Sequence, residues 1–497
     1  MLHNISPLVD MNQRPVLRSW SIVMASVLVG LLLTFLLMVG PSRAALPISF
    51  GKSTLQNETS QLPTSLQFGP DGRLYVAQQN GLIKIYNVKR DGANDYTVTA
   101  TQTIRSVKRI PNHNDKGALN KNVTDRQVTG ILVRGTADNP VIYATSSDPR
   151  IGGVSQLGDN GDVNLDTNSG VLSRLRWTGS RWKKVNLVRG LPRSEENHST
   201  NGLQLDRSTN TLYIAQGGNT NMGARSHNFA LLPEYALSAA ILKVDLDSIG
   251  NNTYNLPTLN DEDRAGNPDA HDPFGGNDGK NQAKLVSGGP VKVYAPGFRN
   301  PYDLLIARSG KMYTIDNSSN AGAGDVPVKE GPAGVCTNQR NEGGTTQDEA
   351  LHLVKGPGYY GGHPNPTRGN KSNTFNGNKQ SPVTTSNPVE CDSLAPGVEN
   401  GSLTTFPSST NGLTEYTASN FGGAMKGNLL AAGFDNKIYR LELNSTGNSV
   451  VSKQALFSDV GNKTLDVTAQ GDAQRFPGTV WVANIFDGSI KVFEPND

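Results

Sequence analysis

A histidine in a polar context stands directly before an alternating apolar run. Asn197-His198 precedes Leu203-Gln204-Leu205, a pattern that predicts a loop leading into a strand. Histidine is the side chain best suited to accept a proton near neutral pH. His198 is therefore a candidate general base, and the alternative is a structural or solvated loop histidine.

A second group of polar residues is held by a proline, in Gly297-Phe298-Arg299-Asn300-Pro301. Proline restricts the backbone, so the two side chains before it leave the chain in a defined direction. A guanidinium beside an amide can bind a planar, anionic or carbonyl-rich ligand through paired hydrogen bonds. Arg299 and Asn300 are candidate ligand-binding residues. The alternative is an arginine that bonds loop carbonyls between neighbouring units.

Carboxylates are dense in one loop rich in Gly, Asn and Pro. Asp269, Asp272 and Asp278 follow the run Asp261-Glu262-Asp263. Hard oxygen ligands at this density suit Ca²⁺, although their spacing does not match an EF-hand loop. The loop is therefore a candidate calcium site, with a solvated acidic loop as the alternative.

The elements that would position these residues recur six times after residue 60. Each unit has a short apolar run, then a turn, then a run in which apolar and polar residues alternate. The first runs are 74–77, 141–144, 212–215, 312–315, 429–432 and 480–483. The partner runs are 82–86, 171–175, 241–244, 350–354, 437–441 and 489–493.

Such a repeat of short strands and turns is typical of a β-propeller, because one four-stranded blade cannot bury both of its faces alone. The sequence therefore predicts an all-β, six-bladed propeller of four-stranded antiparallel blades with long inter-strand loops over residues 45–497. An array of β-sandwiches is the alternative.

An apolar run extends from Ser21 to Gly40, after Arg14 and Arg18. It is long enough to span a bilayer, and Ser42-Arg43-Ala44 offers small residues at the two positions that a signal peptidase reads. Residues 1–44 are therefore predicted to be a cleaved signal peptide or an uncleaved membrane anchor. Both predict an extracellular or periplasmic protein that contacts a membrane only through this segment.

Cys336 and Cys391 are the only cysteines of the chain. An oxidising compartment favours a disulfide between them, and two unrelated buried thiols are the alternative. Two cysteines without clustered histidines do not make a zinc site.

The composition excludes several classes of protein. The 497 residues carry 46 Lys and Arg against 43 Asp and Glu, a formal net charge of +3. Nonspecific nucleic-acid binding requires a basic surface, so no nucleic-acid partner is expected. The sequence also lacks a Walker loop, an HExxH zinc motif and a Gly-x-Ser-x-Gly nucleophile elbow.

Three motifs together resemble the soluble quinoprotein sugar dehydrogenase family, the glucose/sorbosone dehydrogenase-like six-bladed propellers. They are Asn197-His198 before a Leu-x-Leu strand, the 297–301 motif, and Leu353-Val354-Lys355-Gly356-Pro357-Gly358-Tyr359-Tyr360-Gly361. Each motif falls at the family's blade position and in the family's order. The resemblance extends over residues 60–495, apart from the long loops.

The resemblance implies that pyrroloquinoline quinone (PQQ) lies on top of the propeller, coordinated by Ca²⁺. His198 matches the family's base, which takes the proton of a sugar hydroxyl while hydride passes to the quinone. Arg299 and Asn300 match residues that hold the quinone. Lys463 stands at one of two arginine positions in the last blade.

The calcium ligands implied by the resemblance are backbone carbonyls of the stretch 316–319, in particular those of Ser318 and Ser319. The implied substrate is a carbohydrate, an aldose or a related sugar. The implied reaction also needs an electron acceptor, which the sequence does not identify.

The chain departs from the family's pattern at four places. Asn197 replaces an acidic residue before the histidine, and Gly217-Gly218-Asn219 lacks the carboxylate of the turn that supports this histidine. Tyr416 stands near a lysine position, and Leu465 stands at the second arginine position of the last blade.

These departures motivate a second hypothesis, a non-catalytic propeller that binds glycans or an exported protein. Its contacts would come from the long loops at 250–290, 318–345 and 362–410. A third hypothesis is calcium-dependent hydrolysis of a lactone or a similar ester.

Overall fold

The computed structural model describes residues 47–153, 161–258, 283–327, 342–365 and 392–497. In these ranges the chain is almost entirely β-structure. Its helical turns include α1 (Leu246–Ile249) and two 3₁₀ turns, His227–Phe229 and Phe421–Gly423. None of the helices in these ranges is long and apolar enough to cross a membrane. The predicted signal or anchor segment lies outside the described residues.

The described strands form six sheets, which follow one another along the chain. The first sheet contains β2 (Pro63–Phe68), β3 (Leu74–Gln78), β4 (Ile83–Gly92) and β5 (Asp95–Ile104). The second contains β6 (Gln127–Gly135), β7 (Pro140–Ser147), β8 (Gly170–Trp177), β9 (Trp182–Leu191) and β13 (Tyr254–Asn255). The third contains β10 (Thr200–Asp206), β11 (Thr211–Gln216), β12 (Ala240–Asp245) and β14 (Val291–Pro296).

The remaining three sheets repeat this arrangement. The fourth contains β15 (Pro301–Ile306), β16 (Met312–Asp316), β17 (Glu349–Val354) and β18 (Thr404–Phe406). The fifth contains β19 (Thr410–Glu415), β20 (Leu429–Gly433), β21 (Lys437–Leu443) and β22 (Val450–Phe457). The sixth contains β23 (Thr464–Ala469), β24 (Val480–Asn484), β25 (Ile490–Pro495) and β1 (Phe50–Thr54).

The sheets close into a ring. The first strands of successive sheets, β2, β6, β10, β15, β19 and β23, pack against one another in that order, and β23 packs against β2. β1 pairs antiparallel with β25, so the first described strand completes the last blade. The predicted six-bladed propeller is confirmed. The second blade departs from the four-stranded prediction, because β13 adds to it parallel to β9.

The apolar runs that define the repeat are the middle strands of each blade. The first runs lie in β3, β7, β11, β16, β20 and β24, and the partner runs lie in β4, β8, β12, β17, β21 and β25. Both faces of a blade are covered by its neighbours, so these strands are buried throughout most of their length. Between the first and sixth blades, for example, the rings of Phe68 and Trp481 meet edge to face at 5.0 Å.

Around the axis, neighbouring first strands approach so closely that two positions admit only glycine. A Cβ on Gly202 would lie 2.8 Å from the Asp303 Cα, and one on Gly412 would lie 2.5 Å from the Asp466 Cα. The two aspartates also join blades, since Asp303 accepts from the Leu413 amide at 3.1 Å and Asp466 from the Leu66 amide at 2.8 Å.

Candidate functional site

A pocket lies on the propeller axis, where the first strands of the blades begin. It contains about 860 Å³ of space outside the protein atoms, and all six blades contribute to its wall. The lining residues are mostly amides, hydroxyls and charged groups, which gives a polar site open to hydrogen bonding. They include Thr64, Gln79, Gln127, Thr129, Glu196, Asn197, His198, Asn201, Arg299, Asn300, Tyr302, Asn317, Ser318, Asn320, Glu349, Ser409, Asn411, Phe434, Leu465 and Ile485.

His198 lines this pocket just before β10 and is only 3% exposed. Its Nδ1 lies 2.9 Å from the Gly218 carbonyl oxygen. A carbonyl can only accept, so Nδ1 carries the proton and Nε2 carries the lone pair. Burial and then the charge of Arg299 hold the pKa of His198 well below its usual value. At neutral pH the residue is therefore a neutral imidazole with a basic Nε2.

One carboxylate lies beside this histidine, and a second supports the turn that orients it. Glu196 Oε2 lies 3.4 Å from His198 Nε2. Glu234 is fully buried and accepts hydrogen bonds from the backbone amides of Asn219 and Thr220, each at 2.9 Å. It therefore holds the turn whose Gly218 carbonyl orients His198.

Arg299 and Asn300 enter the same pocket from the loop before β15. Asp316 accepts from their backbone amides, at 2.9 and 2.8 Å, which fixes the turn. The Arg299 carbonyl accepts from the Gly218 amide at 2.7 Å. Gly218 therefore joins the turn of Arg299 to the turn that orients His198.

The Arg299 side chain is 4% exposed. Its guanidinium donates to Asn221 Oδ1 at 3.2 Å and to the Asn317 carbonyl at 3.3 Å. It also lies over the Phe229 ring, 5.9 Å from the centroid. Arg299 thus bonds a loop carbonyl, as the alternative interpretation expects. It also lines the pocket.

Ser318 and Glu349 are neighbours in the pocket wall. Ser318 lines the pocket, and its amide donates to Glu349 Oε2. Within the described ranges no donor bonds the Ser318 carbonyl, whereas the Ser319 carbonyl already accepts from the Gln347 amide at 3.0 Å. Burial raises the pKa of Glu349 to about 8. Glu349 and Ser318 thus bring oxygen atoms of the type that hard cations prefer to the pocket wall.

The remaining positions from the family pattern lie at the edge of the pocket or away from it. Lys463 is not among its lining residues; the Lys463 ammonium donates to the Phe434 carbonyl at 3.3 Å. Tyr416 is fully buried, and its hydroxyl donates to the Gly478 carbonyl at 3.0 Å. Leu465 lines the pocket, and together with Phe434 and Ile485 it forms an apolar patch in the wall of blades five and six.

The other predicted sites lie outside the described residues. This applies to the carboxylates Asp269, Asp272 and Asp278 and to both cysteines, Cys336 and Cys391. The calcium loop and the disulfide stay predictions.

Reasoning from sequence missed several lining residues. Glu196 and Glu349 carry charge, and Gln79, Gln127 and Asn411 add amide groups. Gln127 also donates to the Asn197 side chain at 3.1 Å, which joins blade two to the histidine loop. One signal was available for Glu349, because it directly precedes the predicted strand 350–354.

Solved structures with a similar arrangement cover most of the chain. The holo form of the pyranose dehydrogenase PQQ domain from Coprinopsis cinerea matches with a TM-score of 0.50 at 13% identity, over 92% of this chain and 98% of that chain. The PQQ-bound aldose sugar dehydrogenase from Streptomyces coelicolor matches with a TM-score of 0.48 at 14% identity, over 91% and 100%. A putative oxidoreductase (glucose dehydrogenase) from Thermus thermophilus matches with 0.46 at 17%, over 90% and 100%.

Identities this low show a shared fold, and at that level the resemblance predicted from the motifs is confirmed. Comparison with models of protein families and with curated proteins finds no match.

Proposed function

We propose that the protein is an exported dehydrogenase that oxidises a hydroxyl of an aldose or related sugar with bound PQQ and Ca²⁺. The observation that carries the proposal is a buried, neutral His198 in the wall of an axial pocket that Arg299 and Asn300 also line. A general base needs a free lone pair and a pKa below the working pH, and His198 Nε2 meets both conditions.

The lining residues fit PQQ, a planar and oxygen-rich group that carries carboxylates. Arg299 and the amides of Gln79, Gln127 and Asn300 offer donors around the pocket. Glu349 and the Ser318 carbonyl would bind the Ca²⁺, which offsets the negative charge that ligand and protein bring together. When bound, PQQ supplies the acceptor for a hydride.

In the reaction, His198 Nε2 takes the proton of the sugar hydroxyl. The imidazolium that forms is stabilised by the Glu196 carboxylate at 3.4 Å. The Gly218 carbonyl keeps the proton on Nδ1, so the ring cannot present the wrong nitrogen.

The comparisons supply the first ligands to test. The similar structure from Coprinopsis cinerea is described as a PQQ domain of a pyranose dehydrogenase, so a pyranose and PQQ come first. The expected export rests on residues 1–44 of the sequence.

The test is a PQQ titration of the purified full chain by absorbance, with and without Ca²⁺. We expect saturable, calcium-dependent binding of PQQ. Arg299→Lys should weaken this binding at least tenfold, because the planar guanidinium and its paired N–H donors are lost. The matched control is Arg440→Lys, a buried arginine that bonds Asn428 and does not line the pocket. A sugar screen with a dye as acceptor would follow.

No PQQ binding at tens of micromolar would contradict the proposal. Calcium-dependent turnover of a lactone without quinone would favour hydrolysis instead.

A second candidate function is a non-catalytic propeller that binds glycans or an exported protein. The apolar wall formed by Phe434, Leu465 and Ile485 favours it, since an aromatic and two aliphatic side chains suit the faces of sugar rings better than a carboxylate. A glycan binder should keep full affinity in His198→Ala, whereas the dehydrogenase should lose turnover in that variant.

A further inference from the structure

Three carboxylates converge away from the axial pocket. Asp115, Asp162 and Glu195 each contribute one oxygen to a cluster in which the three atoms lie within 4.8 Å of one another. They come from three different connections, between β5 and β6, β7 and β8, and β9 and β10. None of the three residues lines the axial pocket.

Glu195 has an oxygen that the protein leaves without a donor. The residue is 2% exposed, and its Oε2 accepts from the Val163 amide at 3.1 Å. Its Oε1 is buried, and no donor in the described part of the chain bonds it. A buried carboxylate oxygen without a donor is costly, so such an atom indicates a missing ligand.

None of the described ion pairs joins the buried Arg193 to this carboxylate. The guanidinium of Arg193 donates instead to the carbonyls of Asp148, at 3.1 Å, and Arg150, at 2.6 Å. Among the described ion pairs, no Lys, Arg or His nitrogen lies within 4.0 Å of Glu195 or Asp162. The three carboxylates therefore lie close together, and within the described ion pairs no protein cation pairs with Glu195 or Asp162.

We propose that Asp115, Asp162 and Glu195 bind a hard divalent cation of the Ca²⁺ class. Carboxylate oxygens are the ligands such an ion prefers, and water can complete its coordination sphere because Asp162 is partly exposed. The cation removes the repulsion among the three carboxylates and gives Glu195 Oε1 its partner.

The proposed site joins the loop that carries the histidine. Glu195 directly precedes Glu196 and lies three residues before His198. The Asp115 amide also donates to Asn164 Oδ1 at 3.0 Å, so two of the three connections already touch. A bound cation would fix all three connections at one point.

The experiment is a calorimetric titration of the purified full chain with Ca²⁺ alone, after treatment with EDTA and in the absence of PQQ. Glu195→Gln keeps the size of the side chain and an acceptor for the Val163 amide, and it should bind one calcium fewer than the unaltered chain. It should also lose the increase in Tm that Ca²⁺ produces through this site. Glu399→Gln, on an exposed loop and outside both the cluster and the axial pocket, is the matched control and should bind calcium as the unaltered chain does.

A second variant, Asp162→Asn, changes a partly exposed ligand and should weaken binding to this site at least tenfold if Glu195→Gln fails to fold. Equal numbers of bound calcium ions in the unaltered chain and in Glu195→Gln would overturn the proposal. The axial pocket is tested separately, because calcium lost only in Glu349→Gln belongs to that pocket. A failure of PQQ binding would not affect this result.

Discussion

Glu196 Oε2 lies 3.4 Å from His198 Nε2, on the side of the ring opposite the Gly218 carbonyl bonded to Nδ1. The carboxylate thus faces the nitrogen that would take a proton. In sequence Glu196 stands two positions before the histidine, with Asn197 between them. The Glu196 carboxylate can therefore act as a counter-charge to the imidazolium that forms when His198 takes a proton.

Removal of this carboxylate should weaken the base. Glu196→Gln removes a negative charge beside Nε2, so it should lower the pKa of His198 further below its usual value. Because Glu196 is partly exposed, we expect a loss in kcat/KM of about fivefold, or about 1 kcal/mol. The acidic limb of the pH–rate profile should move to lower pH. Glu399→Gln, on an exposed loop, is the control, and an acidic limb that moves to higher pH would contradict the assignment.

The turn behind the histidine depends on Glu234. Burial alone would raise the pKa of this carboxyl, but its bond to His363 Nε2 at 2.9 Å and its bonds to Ser238 and Asn219 hold that pKa below its usual value. Glu234→Gln leaves some of these donors unpaired, and we expect a loss of about 3 kcal/mol in the free energy of unfolding.

A positioning role for Glu234 predicts that this variant lowers kcat more than it raises KM, since the Gly218 carbonyl would no longer orient His198. Urea unfolding and steady-state kinetics measure the two effects. Asp91→Asn, from the exposed pair with Lys89, is the stability control and should leave the free energy of unfolding almost unchanged. Unchanged kcat in a folded Glu234→Gln would contradict the role.

The fold could be predicted from sequence because the middle strands of its blades are recognisable as short apolar runs. Runs such as 74–77 and 480–483 are apolar since both faces of a blade are covered. The first strands are harder to find, since β10 carries Asn201 and Gly202 toward the axis. The pairing of β1 with β25 joins residues at opposite ends of the described chain, and no local pattern specifies it.

The site could be predicted in part. His198, Arg299 and Asn300 line one pocket, and each lies in or beside a short motif that the sequence marks with a glycine or a proline. Glu196 and Glu234 were missed because no sequence motif marks their positions. Their carboxylates reach His198 and its supporting turn only through the folding of the chain.

Stability should depend on pH through Glu349. Burial raises the pKa of this carboxyl to about 8, whereas in the unfolded chain it ionises near its usual value. Between about pH 5 and 8 the folded state therefore holds a proton that the unfolded state has released, and the free energy of unfolding should fall by about 1.4 kcal/mol per pH unit from this group.

Glu349→Gln should remove this contribution and flatten the dependence, as measured by urea unfolding at pH 5, 6, 7 and 8 in EDTA. Saturating Ca²⁺ should also reduce the loss at high pH in the unaltered chain, because a cation at Glu349 stabilises the ionised form. Glu399→Gln should leave the slope unchanged. Equal slopes for the unaltered chain and Glu349→Gln would show that this carboxyl is ionised throughout the range.

The closeness of the first strands can be tested at Gly412, between the Asn411 of the pocket wall and Leu413. A Cβ there would lie 2.5 Å from the Asp466 Cα and 2.9 Å from the Val467 amide nitrogen, and backbone atoms cannot give way as a flexible side chain can. Gly412→Ala should therefore push blades five and six apart at the axis and cost about 2–3 kcal/mol in urea unfolding. The shift should also displace Asn411 and weaken ligand binding in the pocket.

Gly92→Ala is the control, since a Cβ at that position meets nothing within 4 Å, and it should change stability by less than about 0.5 kcal/mol. If Gly412→Ala behaves like Gly92→Ala, the first strands are not in contact at this point, and the pocket wall does not depend on their packing.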